Sequence, residues 1–312
     1  MTKQPVIAVV GPTAVGKTSL SVELAKRFNG EVISGDSMQI YRGMDIATAK
    51  ITEAEKASIP HYMIDIKDPS EPFSVAEFQQ LVQKHITAIH AKNKVPIIAG
   101  GTGLYIQAAL FDYHFANDKR DHDYHDKIEA EIKENGVDLV YARLQRIDPE
   151  QAAKIHPNNT RRLVRALEVY EQTGKTMTEL QADQPNHSRY KPTLIGLTMD
   201  RAQLYQRINQ RVDLMLESGL IEEARYFYQR GLENAQSMRA IGYKELIPYF
   251  KGEYDLEEAV TLLKRNSRRY AKRQYTWFRN KMDVDWYTID PLDKALTFEK
   301  IFSDLAGIFE NG

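Results

Sequence analysis

The sequence predicts an α/β fold in which a parallel sheet is flanked by helices. Short β-branched runs alternate with segments of helical spacing, a pattern typical of parallel sheets. A glycine-rich motif stands between the first such run and the first helix, as in phosphate-binding α/β proteins. A polar, helix-rich stretch at 112–193 further predicts an inserted all-helical domain.

Four short apolar or β-branched runs are predicted as strands of this sheet: Pro5–Val10, Glu31–Ser34, His61–Ile66 and Pro96–Ala99. The segment Lys17–Phe28 has helical spacing. A capping box at 74–77 opens a second helix, which runs to about Asn93.

The second half of the chain leaves the sheet and returns to it. Residues 112–193 are interrupted by "DPE", "HPNN" and "QPNH", whereas "TLIGLTMD" (193–200) is apolar and β-rich again. Beyond Asp200 the pattern is helical to about Met282, and 284–289 suits an edge strand. We therefore expect a discontinuous core with a helical C-terminal part (1–112 and 194–312) and an inserted helical domain (113–193). A plain run of surface helices is the alternative.

Composition excludes several classes of protein. The 312 residues are 42% hydrophobic and 27% charged, with a formal net charge of −1 and no cysteine. A disulfide, a Cys-ligated zinc site and a thiol nucleophile are therefore excluded. No run approaches the ~20 apolar residues of a membrane span, and the N-terminus lacks a signal-peptide pattern. We expect a cytoplasmic protein without a membrane partner.

The motif "GPTAVGKT" fits G-x-x-x-x-G-K-[ST] in full. Its successive N–H groups and the following helix N-terminus form a concave anion site, so we expect a P-loop NTPase-like sheet. Lys17 would reach the terminal phosphate oxygens, and the Thr18 hydroxyl would bind Mg²⁺. The candidate phosphate-binding residues are Gly11, Pro12, Thr13, Ala14, Val15, Gly16, Lys17 and Thr18.

The loop predicts phosphate binding without specifying the reaction, and it would also suit ATP. The guanine motif N-K-x-D fails, because "NKVP" (93–96) has proline in place of the aspartate. The strand at Pro96–Ala99 ends in "GGTGLY" rather than in the aspartate of a typical ATPase. A small-molecule kinase remains open at this point.

Three further features fall near the predicted ligand edge of the sheet. Asp36 follows a short strand, where it is either a proton acceptor or a turn residue after Gly35. The turn Gly100–Gly103 either allows a ligand to approach the backbone or simply joins strand to helix. Arg207 and Arg211 share one helix face, which suits a diphosphate, although a solvated flank is the alternative.

Two stretches are locally basic despite the balanced net charge. Thr261–Lys281 holds eight Lys or Arg residues, no acid and interleaved aromatics, a composition that suits stacking on unpaired bases. Arg265, Arg269 and Lys272 line one face of it. A second basic turn contains Arg161, Arg162 and Arg165. These stretches either bind nucleic acid or simply form a solvated face.

The segments "GPTAVGKT", "ISGDSMQIYRGMDIATAK", "GGTGLY", "NTRRLVRALEVYEQTGK", "RVDLMLESGL", "IGYKE" and "RQYTWFRN" resemble the bacterial tRNA dimethylallyltransferases, in order and over nearly the whole chain. The resemblance implies transfer of a dimethylallyl group from dimethylallyl diphosphate to N6 of the adenine 3′-adjacent to a tRNA anticodon, giving N6-isopentenyladenosine. Eukaryotic relatives carry an extra zinc finger, which a chain without cysteine lacks.

The resemblance also implies roles for individual residues. Asp36 would hydrogen-bond the adenine amino group and take its proton. Thr13, Lys17, Arg211 and Mg²⁺ on Thr18 would stabilise charge on the departing diphosphate. We expect the partner to be the anticodon stem-loop, bound by a monomer. With the basic stretches, the resemblance assigns tRNA contacts to Asp36, Ser37, Met38, Gln39, Thr102, Arg161, Arg162, Leu163, Val164, Arg165, Lys272, Arg273, Gln274, Trp277 and Arg279.

Three other functions remain as alternatives. An adenylate isopentenyltransferase would use the same chemistry on free AMP or ATP, although it needs neither the inserted domain nor two basic surfaces. A P-loop small-molecule kinase would consume ATP without prenyl transfer. A nucleotide-regulated RNA-binding protein would need no catalytic Asp36.

Overall fold

A computed structural model describes residues 3–115, 122–184 and 187–309. The chain forms two compact units, one of residues 1–110 and 188–312 and the other of residues 111–187. Parts of the predicted inserted domain, 116–121 and 185–186, lie outside the described residues.

The first unit is built on a six-stranded sheet in the order β3-β2-β4-β1-β5-β6, and every neighbouring pair is parallel. The strands are β1 (Pro5–Val10), β2 (Gly30–Ser34), β3 (His61–Tyr62), β4 (Val95–Ala99), β5 (Lys191–Thr198) and β6 (Asp285–Thr288). Helices cover the sheet, so residues 6–10 of β1 are fully buried. The predicted P-loop NTPase-like α/β fold is confirmed.

Helices complete the first unit: α1 (Lys17–Arg27), α2 (Glu53–Lys56), α3 (Val75–His90), α4 (Gly103–Leu110), α10 (Arg201–Glu217), α11 (Leu220–Gln229), α12 (Leu246–Phe250), α13 (Leu256–Lys281) and α14 (Lys294–Phe309). Asp200 caps α10, because its carboxylate accepts the N–H groups of Ala202 and Gln203 at 2.9 and 3.1 Å. None of the helices in the described part of the chain is both long and apolar enough to cross a membrane.

Of two predicted strands, one is shorter in the structure than expected and the other forms at the edge of the sheet. The strand expected over His61–Ile66 ends at Tyr62, because Met63 and Asp65 adopt left-handed backbone conformations with φ of 63° and 56°. The segment 284–289 does form the edge strand β6 beside β5.

The second unit consists of five described helices: α5 (His122–Asn135), α6 (Val137–Ile147), α7 (Pro149–Ala153), α8 (Thr160–Thr173) and α9 (Met177–Ala182). They pack around their own apolar core, which includes Ile128, Val140 and Leu163. Asp148 is buried there, and it accepts N–H groups from Gln151 at 3.1 Å and Thr178 at 3.0 Å. The unit therefore has a core independent of the sheet.

The strand order brings three loops of the first unit together at the carboxyl edge of the sheet. They follow β1, β2 and β4, which are neighbours. The loop ends of β2 and β4 touch main chain to main chain, since a Cβ on Gly100 would overlap the backbone of Gly35. Only glycine at position 100 permits this approach.

An ion cluster lies at the opposite, amino end of β2. The Glu31 side chain is 2% exposed and accepts hydrogen bonds from Lys92, Lys94 and Tyr62 at 2.9, 2.8 and 2.7 Å. Burial acts to raise the pKa of Glu31, but these hydrogen bonds outweigh it and hold the pKa at about 2, below its ordinary value of 4.5. A pKa depressed by folding stabilises the fold above pH 4.5, and this stabilisation is lost as the pH falls towards 2.

We therefore expect Glu31→Gln to lower the free energy of unfolding at pH 7 by about 1–3 kcal/mol, because a buried charged hydrogen-bond acceptor is lost. The variant should also lose part of the wild-type decline in stability between pH 5 and pH 3. Urea denaturation at several pH values measures both effects. Glu23→Gln is the matched control: its pair with Lys26 is about half exposed, so it should change stability by less than about 1 kcal/mol. Equal effects of the two variants would contradict this prediction.

Candidate active site

Two connected cavities open at the carboxyl edge of the sheet in the first unit. The first cavity has a volume of about 830 Å³ and includes residues of the 11–18 loop, and the second has about 260 Å³. The residues that border both are Thr13, Asp36, Thr48, Arg211, Met215 and Tyr270. Asp36 therefore stands where the two cavities meet.

The loop of residues 11–18 has the strained backbone that an anion cradle requires. Gly11 and Gly16 adopt φ of 136° and 109°, and Ala14 adopts 65°. A side chain on Gly11 would lie 2.5 Å from the carbonyl oxygen of Leu197. The predicted phosphate-binding residues stand together here, with Val15 buried in the core and the side chains of Thr13, Lys17 and Thr18 on the first cavity.

Lys17 is held inside this loop. Its ammonium group donates to the carbonyl oxygens of Gly11 and Pro12 at 3.0 and 2.7 Å. Burial and the nearby Arg211 together lower the pKa of Lys17 to about 7, although Asp36 opposes part of the change. A bound anion would therefore stabilise the charged form of Lys17.

Both arginines predicted on α10 contact the loop. Arg207 Nε donates to the Ala14 carbonyl at 3.1 Å, and Arg211 Nη1 donates to Thr13 Oγ1 at 3.2 Å. Since a guanidinium group has no acceptor, Thr13 Oγ1 is the acceptor in this contact. The hydroxyl proton of Thr13 stays available to donate to a ligand oxygen. Both arginines thus contact the predicted phosphate loop, although Arg207 is also exposed.

Asp36 closes a turn and also borders both cavities. Its Oδ1 accepts the N–H of Met38 at 2.8 Å, which closes an Asx turn. Burial raises the pKa of Asp36, although the Met38 N–H, Lys17 and Arg211 counteract part of that rise. A carboxylate with a raised pKa is a stronger base than an exposed one.

Thr102 and Tyr270 flank Asp36. Thr102 Oγ1 accepts the N–H of Ser37 at 3.3 Å, which ties the turn after β4 to the turn after β2. Burial, with Asp36 nearby, raises the pKa of Tyr270 to about 12. Tyr270 therefore keeps its proton at neutral pH and can act as a hydrogen-bond donor.

The residues around Thr18 fit a cation that takes most of its ligands from a substrate. The Thr18 side chain borders the first cavity. Within residues 3–115, 122–184 and 187–309, no three His, Asp or Glu side chains cluster as a metal site. A Mg²⁺ ion here would depend on Thr18, phosphate oxygens and water, which is its usual preference.

Two glycines of the turn after β4 make room for side chains of α13. A Cβ on Gly101 would overlap the side-chain amide of Gln274, and a Cβ on Gly103 would overlap the Trp277 ring. The space beside these two glycines is therefore filled by α13 rather than by a ligand. Gly100 and Gly101 still contribute backbone to the wall of the first cavity.

The predicted RNA-contact residues of the first unit differ in how exposed they are. Lys272, Arg273 and Arg279 are exposed on α13. Gln274 is only 5% exposed, and its amide binds Thr13 and Gly101. Asp36 and Thr102 are described above. Of the other predicted residues, Trp277 packs on Gly103, Gln39 binds the carbonyls of Thr48 and Ala49, and Ser37 and Met38 border the second cavity.

In the second unit, α8 presents only part of its predicted contact stretch. Arg161 and Arg162 are exposed, and Arg165 forms an ion pair with Glu168 at 2.9 Å. The side chains of Leu163 and Val164 are fully buried in the helical core, so they are unavailable to a partner. The family resemblance implies a tRNA contact for the whole stretch 161–165, which includes these two residues.

Sequence reasoning missed one wall of the second cavity. It is formed by the segment 239–242 together with Lys244. The buried carboxylate of Glu245 accepts the Gly242 N–H at 2.8 Å and so holds this segment in place. The signal was present in "IGYKE", where glycine takes a φ of 107° that other residues rarely adopt.

Comparison with known proteins gives a consistent result. The family profile described as "IPP transferase" matches residues 39–281. A "tRNA dimethylallyltransferase" of Oceanobacillus iheyensis is 57% identical over 310 residues, covering 99% of this chain and 98% of the relative. One of the same name from Bacillus cytotoxicus is 57% identical over 293 residues, covering 94% of this chain and 93% of the relative.

Two solved structures extend the comparison to the fold. A full-length tRNA isopentenylpyrophosphate transferase from Bacillus halodurans is 51% identical, with a TM-score of 0.76 and coverage of 99% and 98% of the two chains. A eukaryotic dimethylallyltransferase acting on tRNA is 32% identical, with a TM-score of 0.79 and coverage of 93% of this chain and 75% of that one. The profile match and the identity of the relatives agree: the chain belongs to the IPP transferase family.

Proposed function

We propose that the protein transfers the dimethylallyl group of dimethylallyl diphosphate to N6 of the adenine 3′-adjacent to the anticodon in tRNA. The observation that carries this proposal is the position of Asp36, which borders both a phosphate-binding cavity and a second cavity. A donor and an acceptor can thus reach the same carboxylate from two sides. The names of the relatives support the choice of donor and acceptor.

The first cavity holds the donor in this proposal. Lys17, Arg207 and Arg211 surround the loop with positive charge. Lys17 and Arg211 are buried, and buried cations bind a diphosphate more strongly than exposed ones. Thr18 and the diphosphate would hold Mg²⁺, which would supply further charge neutralisation for the leaving group.

The chain's own residues then perform the transfer. The adenine N6 lone pair forms a bond to C1 of the dimethylallyl group while the bond from C1 to the diphosphate oxygen breaks. Asp36 accepts the proton that N6 loses. Thr13, Lys17 and Arg211 stabilise the negative charge that builds on the diphosphate oxygens, because they are in place before the reaction begins.

The acceptor side uses the second cavity and two basic surfaces. The adenine leaves the loop stack to enter the second cavity, next to Asp36. No described carboxylate lies within 4 Å of the exposed side chains of Arg265, Arg269 or Lys272 on α13, so these cations are available to RNA phosphates. We assign the helical unit 111–187 a second tRNA contact through Arg161 and Arg162. The protein acts as a cytoplasmic monomer in this scheme.

The choice of acceptor tests the proposal directly. We expect the purified protein with Mg²⁺ and labelled dimethylallyl diphosphate to prenylate unmodified tRNA with adenine after the anticodon, but not free AMP or ATP. Nucleoside mass analysis of the digested tRNA identifies the product. Turnover of AMP with none of tRNA would favour an adenylate isopentenyltransferase. ATP consumption without prenyl transfer would favour a kinase.

We expect Asp36→Asn to reduce the rate of transfer by about 10²–10⁴-fold, because the amide cannot accept the N6 proton. Binding of tRNA and of donor should stay within a few-fold of wild type, since asparagine can still accept the Met38 N–H. In the wild type, burial raises the pKa of Asp36, so log kcat/KM should fall with a slope of one below that pKa. Single-turnover assays across pH measure this limb, which should vanish in the variant.

Asp68→Asn is the matched control for this prediction. Asp68 makes the same kind of turn, accepting the Ser70 N–H at 2.9 Å, but it borders neither cavity. Its transfer rate should equal that of wild type. A wild-type rate in Asp36→Asn would remove Asp36 from the reaction.

We expect Lys17→Met and Arg211→Met each to weaken binding of inorganic diphosphate with Mg²⁺ by about 10–100-fold, since a hydrogen bond to a charged group contributes about 1.5–3 kcal/mol. Titration calorimetry measures the affinity. Arg201→Met is the control, because Arg201 lies on the same helix but packs on Tyr205 outside both cavities. An unchanged affinity in Lys17→Met would contradict the loop assignment.

A further inference from the structure

One buried amide joins two loops of the active site. Gln274 lies on α13, and its side chain is buried. Its Oε1 accepts the backbone N–H of Thr13 at 2.8 Å, and its Nε2 donates to the carbonyl of Gly101 at 3.1 Å. Both ends of the amide are therefore used within the protein, one on the loop after β1 and one on the turn after β4.

The turn after β4 is shaped to receive this amide. A methyl group on Gly101 would overlap Gln274 Nε2, so glycine at this position makes room for the amide. The backbone of Gly101 is outside the left-handed region that favours glycine. Space for Gln274, rather than backbone conformation, is therefore the reason for glycine at this position.

Gln274 binds Thr13, which lies beside Asp36 at the site of the proposed reaction. Thr13 borders both cavities together with Asp36, and its hydroxyl accepts from Arg211. With its backbone N–H bound to Gln274, Thr13 is fixed at two points. The N–H is also withdrawn from phosphate, which leaves the hydroxyl as the group of Thr13 that meets the ligand. A misplacement of about 1 Å at such a group can cost about 10²-fold in rate.

We propose that Gln274 is a positioning residue for prenyl transfer: it fixes Thr13, and with it the diphosphate loop, at the distance from Asp36 that the reaction requires. The inference rests on the proposed function for its activity assay. It assigns to Gln274 a role on the donor side, in place of the contact with tRNA that its position among exposed basic residues favours. Tyr270, one turn earlier on α13, also hydrogen-bonds Gln274 and so supports its orientation.

Two substitutions separate the hydrogen bonds from the volume of the side chain. Gln274→Met keeps the size but makes neither hydrogen bond, and Gln274→Glu can still accept from Thr13 but cannot donate to Gly101. We expect kcat to fall by about tenfold to a hundredfold in Gln274→Met, with the affinity for inorganic diphosphate also reduced. The KM for tRNA should stay within about threefold of wild type. Gln274→Glu should lie between Gln274→Met and wild type in diphosphate affinity.

A double-mutant cycle with Gly101→Ala tests the fit between the two residues. Gly101→Ala alone displaces Gln274 and should lower kcat at least as much as Gln274→Ala does. The double variant should be no worse than Gln274→Ala, because the smaller side chain at 274 makes room for the new methyl group. Additive losses would overturn the pairing of the two residues.

Thr276→Ala is the matched control, since Thr276 is exposed on the same turn of α13 and binds only the Lys272 carbonyl of its own helix. It should keep wild-type kcat and diphosphate affinity. Thermal unfolding of every variant shows whether activity merely follows the folded fraction.

A rise in the KM for tRNA with unchanged kcat in Gln274→Met would restore an RNA-contact role and overturn the inference. Failure of the wild type to prenylate tRNA would instead contradict the proposed function. The diphosphate titrations would still test whether Gln274 positions the Thr13 loop.

Discussion

The site depends on how its buried cations are satisfied before any anion arrives. Lys17 is bound by two carbonyl groups of its own loop and Arg211 by the Thr13 hydroxyl, while the exposed Arg207 donates to a third carbonyl of the loop. A buried cation without partners would be costly, so these contacts keep the charges in place and the loop ordered. An incoming diphosphate thus meets a set of donors that needs little rearrangement, the condition under which electrostatic stabilisation is most effective.

This arrangement depends in turn on the order of the strands. Because β2, β4 and β1 are neighbours, the Asp36 turn, the glycine turn and the phosphate loop emerge side by side. The long helices α10 and α13 then close the site from one side, α10 with Arg207 and Arg211 and α13 with Tyr270 and Gln274. The sheet thus sets the positions of the three loops, and the two helices contribute charged and hydrogen-bonding side chains.

Local features were predictable from the sequence, and long-range ones were not. The 11–18 loop follows from its motif, because its anion site is made by consecutive backbone groups. The pair Arg207 and Arg211 follows from helical spacing. Gln274 could not be predicted, since it is a polar residue in a basic helix and its partner Thr13 is 261 positions away. The burial of Leu163 and Val164 could not be predicted from the contact stretch, because continuity along the chain says nothing about which face of α8 is buried.

The contact between Gly35 and Gly100 limits how the site can be reshaped. At that point the wall consists of two backbones touching each other, so no substitution there can enlarge the space beside Asp36, and any added atom pushes the two loops apart. The first cavity is also lined by Leu214 and Met215 of α10, whose side chains can be shortened without moving a backbone. A variant intended for bulkier donors can therefore be altered at the side chains of α10, but not at Gly35 and Gly100, where main chain touches main chain.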